Sequence, residues 1–175
     1  MSLSKPNRRL LMLALVALAG CGYKPAFAPT GPAASLPVQI KVDAPSNRNE
    51  FLFVQQLEKR VGRPIQPRYR LSYQIHTTLD GIGVTPQQEI FRNSIVGKAT
   101  FSVTDTSKNQ IITRGSVDSF TSYTVATVDP SATPPSTNAT ISSDTAKRDA
   151  NARLMVILAD MLVTRLIATA GNWSK

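Results

Sequence analysis

The chain has 175 residues, 20 Lys and Arg against 11 Asp and Glu, a formal charge of +9, and one cysteine and one histidine. That length can bury one full core without metal or cross-links. A single cysteine excludes an internal disulfide, and a single histidine excludes the common multi-histidine zinc sites.

At the N-terminus Lys5, Arg8 and Arg9 precede an apolar run from Leu10 to Leu18. The run is too short for a bilayer-spanning helix, which needs about 20 residues. It ends in Leu18-Ala19-Gly20-Cys21, which reads as a lipobox: a basic n-region, a short h-region, small residues at the cut, and a thiol to accept lipid. An ordinary secretory cut would fall at Ala26-Phe27-Ala28, but Pro29 follows it and makes a poor substrate. Residues 1–20 are therefore expected to be a lipoprotein signal peptide, with Cys21 lipidated. Glycine rather than aspartate at position 22 favours the outer membrane, with the domain facing the periplasm. One acyl chain binds a membrane only marginally, so stable anchoring needs several on Cys21. Processing removes three positive charges (Lys5, Arg8, Arg9) and no acid, leaving +6. That excess suits an anionic lipid, lipopolysaccharide or an acidic protein surface, or is simply a soluble surface. An exported, tethered chain is not expected to meet nucleic acid.

Residues 21–37 form the lipidated cysteine and a tether carrying Pro25, Pro29, Pro32 and Pro37, extended and unpacked because proline fixes φ and removes donors. A single domain is expected over 38–170. Val38, Ile40 and Val42 alternate with polar neighbours, a short strand. Ser46 or Asn47 caps a helix, with Glu50 in capping-box position. Phe53, Val54, Leu57 and Val61 share one face of that helix, and Gly62 ends it as an αL residue could. Tyr69, Leu71, Tyr73, Ile75, Thr77 and Leu79 alternate with Arg68, Arg70, Ser72, Gln74, His76 and Thr78, predicting a long strand with one wet face. Gly81 and Gly83 are expected to break it, and Pro86 to Glu89 to turn. Ile95, Gly97, Ala99, Phe101 and Val103 mark a third strand. Asp105 to Asn109 has hairpin-turn chemistry, and Gln110 to Tyr123 forms a fourth strand with a bulge near Gly115.

Residues 126–143, rich in Thr, Ser, Ala and Pro, read as a mobile loop. A long helix follows from about Asp144 to Ala168. Ala150, Leu154, Met155, Leu158, Met161, Leu162 and Leu166 make its main apolar face. A second stripe holds Ala152, Val156, Ala159, Val163 and Ile167. Either both stripes are core, or the outer one, through Val156, Val163 and Ile167, contacts another protein.

Strand, helix, three strands, helix implies an α+β two-layer sandwich: a four-stranded mixed sheet covered on one face by two helices. The sequence contains no Gly-x-Ser-x-Gly, phosphate-binding glycine loop or Cys/His cluster, and His76 reads as a solvated strand residue. No catalytic residue, metal or cofactor is expected, so the chain reads as a binding or assembly protein.

The motifs together resemble the LptE family of outer-membrane lipoproteins. They are Cys21-Gly22-Tyr23-Lys24-Pro25, the first strand and helix, Tyr69-Arg70-Leu71, Gly115 with Ser122-Tyr123, and Asp149-Ala150-Asn151-Ala152-Arg153-Leu154. The likeness covers nearly the whole mature chain, though the loop at 126–143 is longer than the family's. It implies a two-helix, four-strand plug in the lumen of the β-barrel LptD, aiding barrel assembly and lipopolysaccharide delivery. For a directly bound lipopolysaccharide the expected contacts are Arg68 and Arg70, then Arg92, Lys98 and Arg114, since arginine grips phosphate through paired bonds and lysine as a point charge. The same residues could merely solvate an open sheet. The alternative reading is a lipid-carrying or exporter-auxiliary periplasmic lipoprotein, which would need an apolar cavity.

Overall fold

The computed structural model describes residues 39–84, 90–125 and 137–173. Cys21, the tether at 22–37, Pro86 to Glu89 and the proline-rich part of the expected loop at 126–136 lie outside the described residues. The elements run β1 (Ile40–Val42), α1 (Arg48–Val61), β2 (Tyr69–Val84), β3 (Ile90–Asp105), β4 (Gln110–Thr124) and α2 (Thr137–Trp173). The sheet order is β1-β2-β3-β4. β1 runs parallel to β2, with α1 supplying the crossover that parallel strands need, while β2, β3 and β4 form an antiparallel meander. The sheet is mixed, with both helices on one face, as expected.

β1 buries Ile40 and Val42 and exposes Lys41, the alternation that a one-sided strand demands. Asn47 is the N-cap of α1, and its carboxamide oxygen accepts from the Glu50 N–H at 3.0 Å. Glu50 reaches back to the Ser46 N–H at 2.7 Å and hydroxyl at 2.8 Å, one residue earlier than a standard capping box. The hydrogen bonds from Ser46 hold the Glu50 carboxyl below its usual value. Phe53, Val54, Leu57 and Val61 are buried. Gly62 takes a positive φ of 78°, but its ψ of 179° leads the chain out extended, so it is not the expected αL cap. Its N–H still satisfies the Glu58 carbonyl at 2.7 Å.

β2 does not break at Gly81 and Gly83. It continues to Val84 through register shifts, because β3 supplies pairing along that whole stretch. Burial follows the expected alternation only as far as Ile75. Thr77 and Leu79 are exposed although their β3 partners Gly97 and Ile95 are buried, Gly97 directly under Leu154 and Leu158 of the last helix. The irregularity in β4 falls opposite Val103 and Thr104, where Thr113 and Ile111 pair and Ile112 is extra. Gly115 is therefore not the bulge. A Cβ there would lie 2.8 Å from Phe101 Cζ, so glycine is needed for the aromatic ring to cross the strand.

α2 starts at Thr137, well before Asp144, and runs 37 residues, about 55 Å. Residues 137–143 are thus helix rather than loop. The stretch Ile141–Trp173 is long and apolar enough to cross a membrane by length and composition. Here Ala150, Leu154, Met155, Leu158, Leu162, Leu166 and Ala170 are spent on the core. Leu154 and Leu158 sit over Gly97, whose missing side chain lets the helix approach the sheet. Trp173 closes the last turn, edge-on to Tyr69 at 5.5 Å, with its indole N–H donating to Thr169.

The two stripes of α2 do not divide as core and partner face. Ala159 and Val163 are buried, and Ile167 packs against the core. Only Val156, at 40% exposure, remains outside. Val163 is buried because α2 is gripped both by the sheet and by α1, so it is not part of an outer face, while Ile167 is half-buried. Met161, assigned to the main face, is 41% exposed instead.

Candidate functional site

The face of the sheet away from the helices carries the residues of even parity in β2 and β3. Arg70, Ser72, Gln74 and His76 of β2 lie beside Thr104, Ser102, Thr100 and Lys98 of β3. Ser102, Thr100 and Lys98 in turn lie beside Arg114, Ser116 and Asp118 of β4. A surface groove of about 390 Å³ runs over this face, lined by Ser72, Gln74, Thr100, Ser102, Ile111 and Arg114 among others. Its Ser, Thr and Gln groups can donate and accept in turn, beside the apolar Phe101 and Ile111. Such a floor suits a polar, many-hydroxyl surface more than a single anion.

The five expected cations do not converge. Arg68 lies just before β2, over the Tyr69 ring at 5.2 Å and 3.8 Å from the buried Asp105. Arg70 forks onto Asp43 at 2.6 and 3.2 Å, and Ser72 also donates to Asp43 at 2.8 Å. Burial raises the Asp43 pKa, but the bonds from Arg70 and Ser72 outweigh it and hold the carboxyl below its usual value. Arg70 is thus engaged within the domain. Arg92 donates twice to the Ser122 hydroxyl, at 3.2 and 2.7 Å, at the far end of the face. Lys98 stands in register between His76 and Asp118. Arg114 stands opposite Ser102. Among the described residues neither Lys98 nor Arg114 has an ion-pair partner. At about 3.3 Å per residue, Arg92 is on the order of 33 Å along β3 from the Arg114 level, and Lys98 about 13 Å. The face is an extended basic and hydroxylic strip with no single phosphate clamp.

Pattern reading missed Asp43, which neutralises Arg70 across the sheet edge. The signal was there: Asp43 directly follows the strand that pairs with Tyr69 to Leu71. It also missed Arg153 and Arg165, which reach from α2 to the Ser122 and Ser116 carbonyls on β4.

No family model matches the chain, and no curated protein matches it. Solved structures do. A candidate lipoprotein from Caulobacter crescentus CB15 matches with a TM-score of 0.59 and 17% identity, over 81% of this chain and 98% of that one. Rare lipoprotein B from Shewanella oneidensis matches at 0.55 and 9% identity, over 78% and 98%. A minor lipoprotein from Acinetobacter baumannii matches at 0.50 and 12%, over 75% and 90%. The chain shares the fold of rare lipoprotein B (RlpB), the LptE-type fold that its motifs resemble.

Proposed function

We propose that the chain is an outer-membrane lipoprotein, fastened through Cys21, that partners an LptD-type β-barrel as plug and assembly factor for lipopolysaccharide delivery. The observation that carries the reading is the uncovered sheet face. A domain of this size leaves one face of its sheet hydroxylic, uncovered and basic, which matches the polar interior of a large outer-membrane barrel. The lipobox at Leu18 to Cys21 and the fold of rare lipoprotein B support the same assignment. Within it, Lys98 and Arg114 are the proposed contacts for an anionic ligand. Arg68, Arg70 and Arg92 shape the face through their protein partners. The domain acts by contact, with no catalytic step.

The reading predicts that the native chain, extracted from outer membranes in mild detergent, co-purifies with a large heat-modifiable β-barrel. Recovery only as free chain counts against it. Mass spectrometry should find Cys21 as the diacylated, N-acylated N-terminus, and an unmodified Cys21 in the native protein removes the anchor.

A further inference from the structure

β4 is the last strand of the sheet, so among the described residues one of its long sides has no strand neighbour. The Ser116 carbonyl accepts from Arg165 at 2.9 Å and the Ser122 carbonyl from Arg153 at 3.4 Å, both from outside the sheet. Strand parity then turns the backbone N–H and C=O of Asp118 and Phe120 outward too. These residues place their side chains on the polar face. Among the described residues neither Arg114 nor Asp118 has an ion-pair partner. Phe120 is 68% exposed and Ile111 42%, costly positions for large apolar groups on an open edge.

Counted outward from Ser116, this edge carries Arg114 two residues to one side and Asp118 two residues to the other. Antiparallel pairing opposes residues at equal distances from its centre. A second copy set with Ser116 against Ser116 therefore places each Arg114 across from the copy's Asp118. It also sets each Phe120 opposite the copy's Ile112, at the bulge. We propose that the outer edge of β4 docks a second copy of this chain, the two β4 strands pairing antiparallel about Ser116 into a continuous eight-stranded sheet. The two-fold axis stands perpendicular to the sheet, so both α2 helices lie on the same side of the junction. A groove of about 490 Å³ lined by Val117, Asp160, Met161, Thr164, Arg165 and Ala168 runs there, and the exposed Met161 faces it from each α2. Arg165 and Arg153 must release their carbonyls before pairing, which keeps the association weak and concentration-dependent. The inference concerns the chain by itself and stands apart from the barrel assignment.

The test uses the full chain, purified in mild detergent, carrying Ser116→Cys. Residues directly opposed in such a pair sit about 5.5 Å apart at Cα, within disulfide range. Mild oxidation should yield a cross-linked dimer from this variant, while the parent chain and Ser102→Cys, on β3 of the same face, yield no covalent dimer. By analytical ultracentrifugation Arg114→Asp or Asp118→Arg alone should raise the dimer dissociation constant about tenfold, and the double swap should restore it. Arg165→Ala, which frees the Ser116 carbonyl, should lower it. Cross-linking at Ser116 no greater than at Ser102, or a swap that fails to restore association, overturns the proposal.

Discussion

Tyr73 buries a phenol hydroxyl that has no hydrogen-bond partner among the described residues. Burial, with the negative charges of Glu50 and Asp43 adding to it, pushes its pKa up to about 12. The ring itself is well used, tilted against Phe53 at 5.2 Å. Removing the hydroxyl removes an uncompensated desolvation cost and keeps the ring contact. Tyr73→Phe is therefore expected to stabilise the domain by about 1 kcal/mol in denaturant melts, and a loss of stability would show that the hydroxyl has a partner after all. Positions such as this separate what pattern reading can reach from what it cannot. Alternation placed Tyr73 on the inner face, but could not show that its oxygen would be stranded. Arg70 is the converse case. Its wet position followed from the same alternation, while its partner Asp43 lies 27 residues away and is brought near only by the parallel β1–β2 pairing. Gly115 drew notice as a disturbance, yet the reason is the Phe101 ring, a contact between strands that no local pattern carries.

The elements came through because their periods are strong. Period two gave β2 and β3, and the 3.6-residue period gave α1 and the core face of α2. The first turns of α2 did not come through. Residues 137–143 are mostly Thr, Ser and Ala, a polar stretch with no apolar stripe, so periodicity is silent there. The helix carries Thr and Ser by folding hydroxyls back on its own carbonyls, as Thr145 does on Ile141 at 2.9 Å. The faces of α2 were also misjudged, because a helix gripped on two sides buries parts of both stripes. Leu158 is fully buried over Gly97, whereas Val156 is 40% exposed. Leu158→Ala should cost about 2–5 kcal/mol, and Val156→Ala should stay within about 0.5 kcal/mol. Equal costs, measured by chemical denaturation, would mean that the stripes pack otherwise than described.

At the scale of the whole molecule, one layer of helices leaves the other face of the sheet wet, and the proposed acylation site at Cys21 lies ahead of the domain. The fold matches lipoproteins over most of their length at 9–17% identity, so this architecture is compatible with widely differing sequences. This explains why the architecture could be read from periodicity. The five cations could not be assembled into one clamp, since their spacing along β2, β3 and β4 depends on register. In the proposed function, that strip of hydroxyls is the surface meeting a barrel wall. A photo-crosslinking residue placed at Ser102, in the middle of the strip, tests this in intact cells. The expected product is an adduct with an outer-membrane β-barrel, identified by mass spectrometry. Adducts only with soluble periplasmic proteins, or none with any barrel, would contradict it.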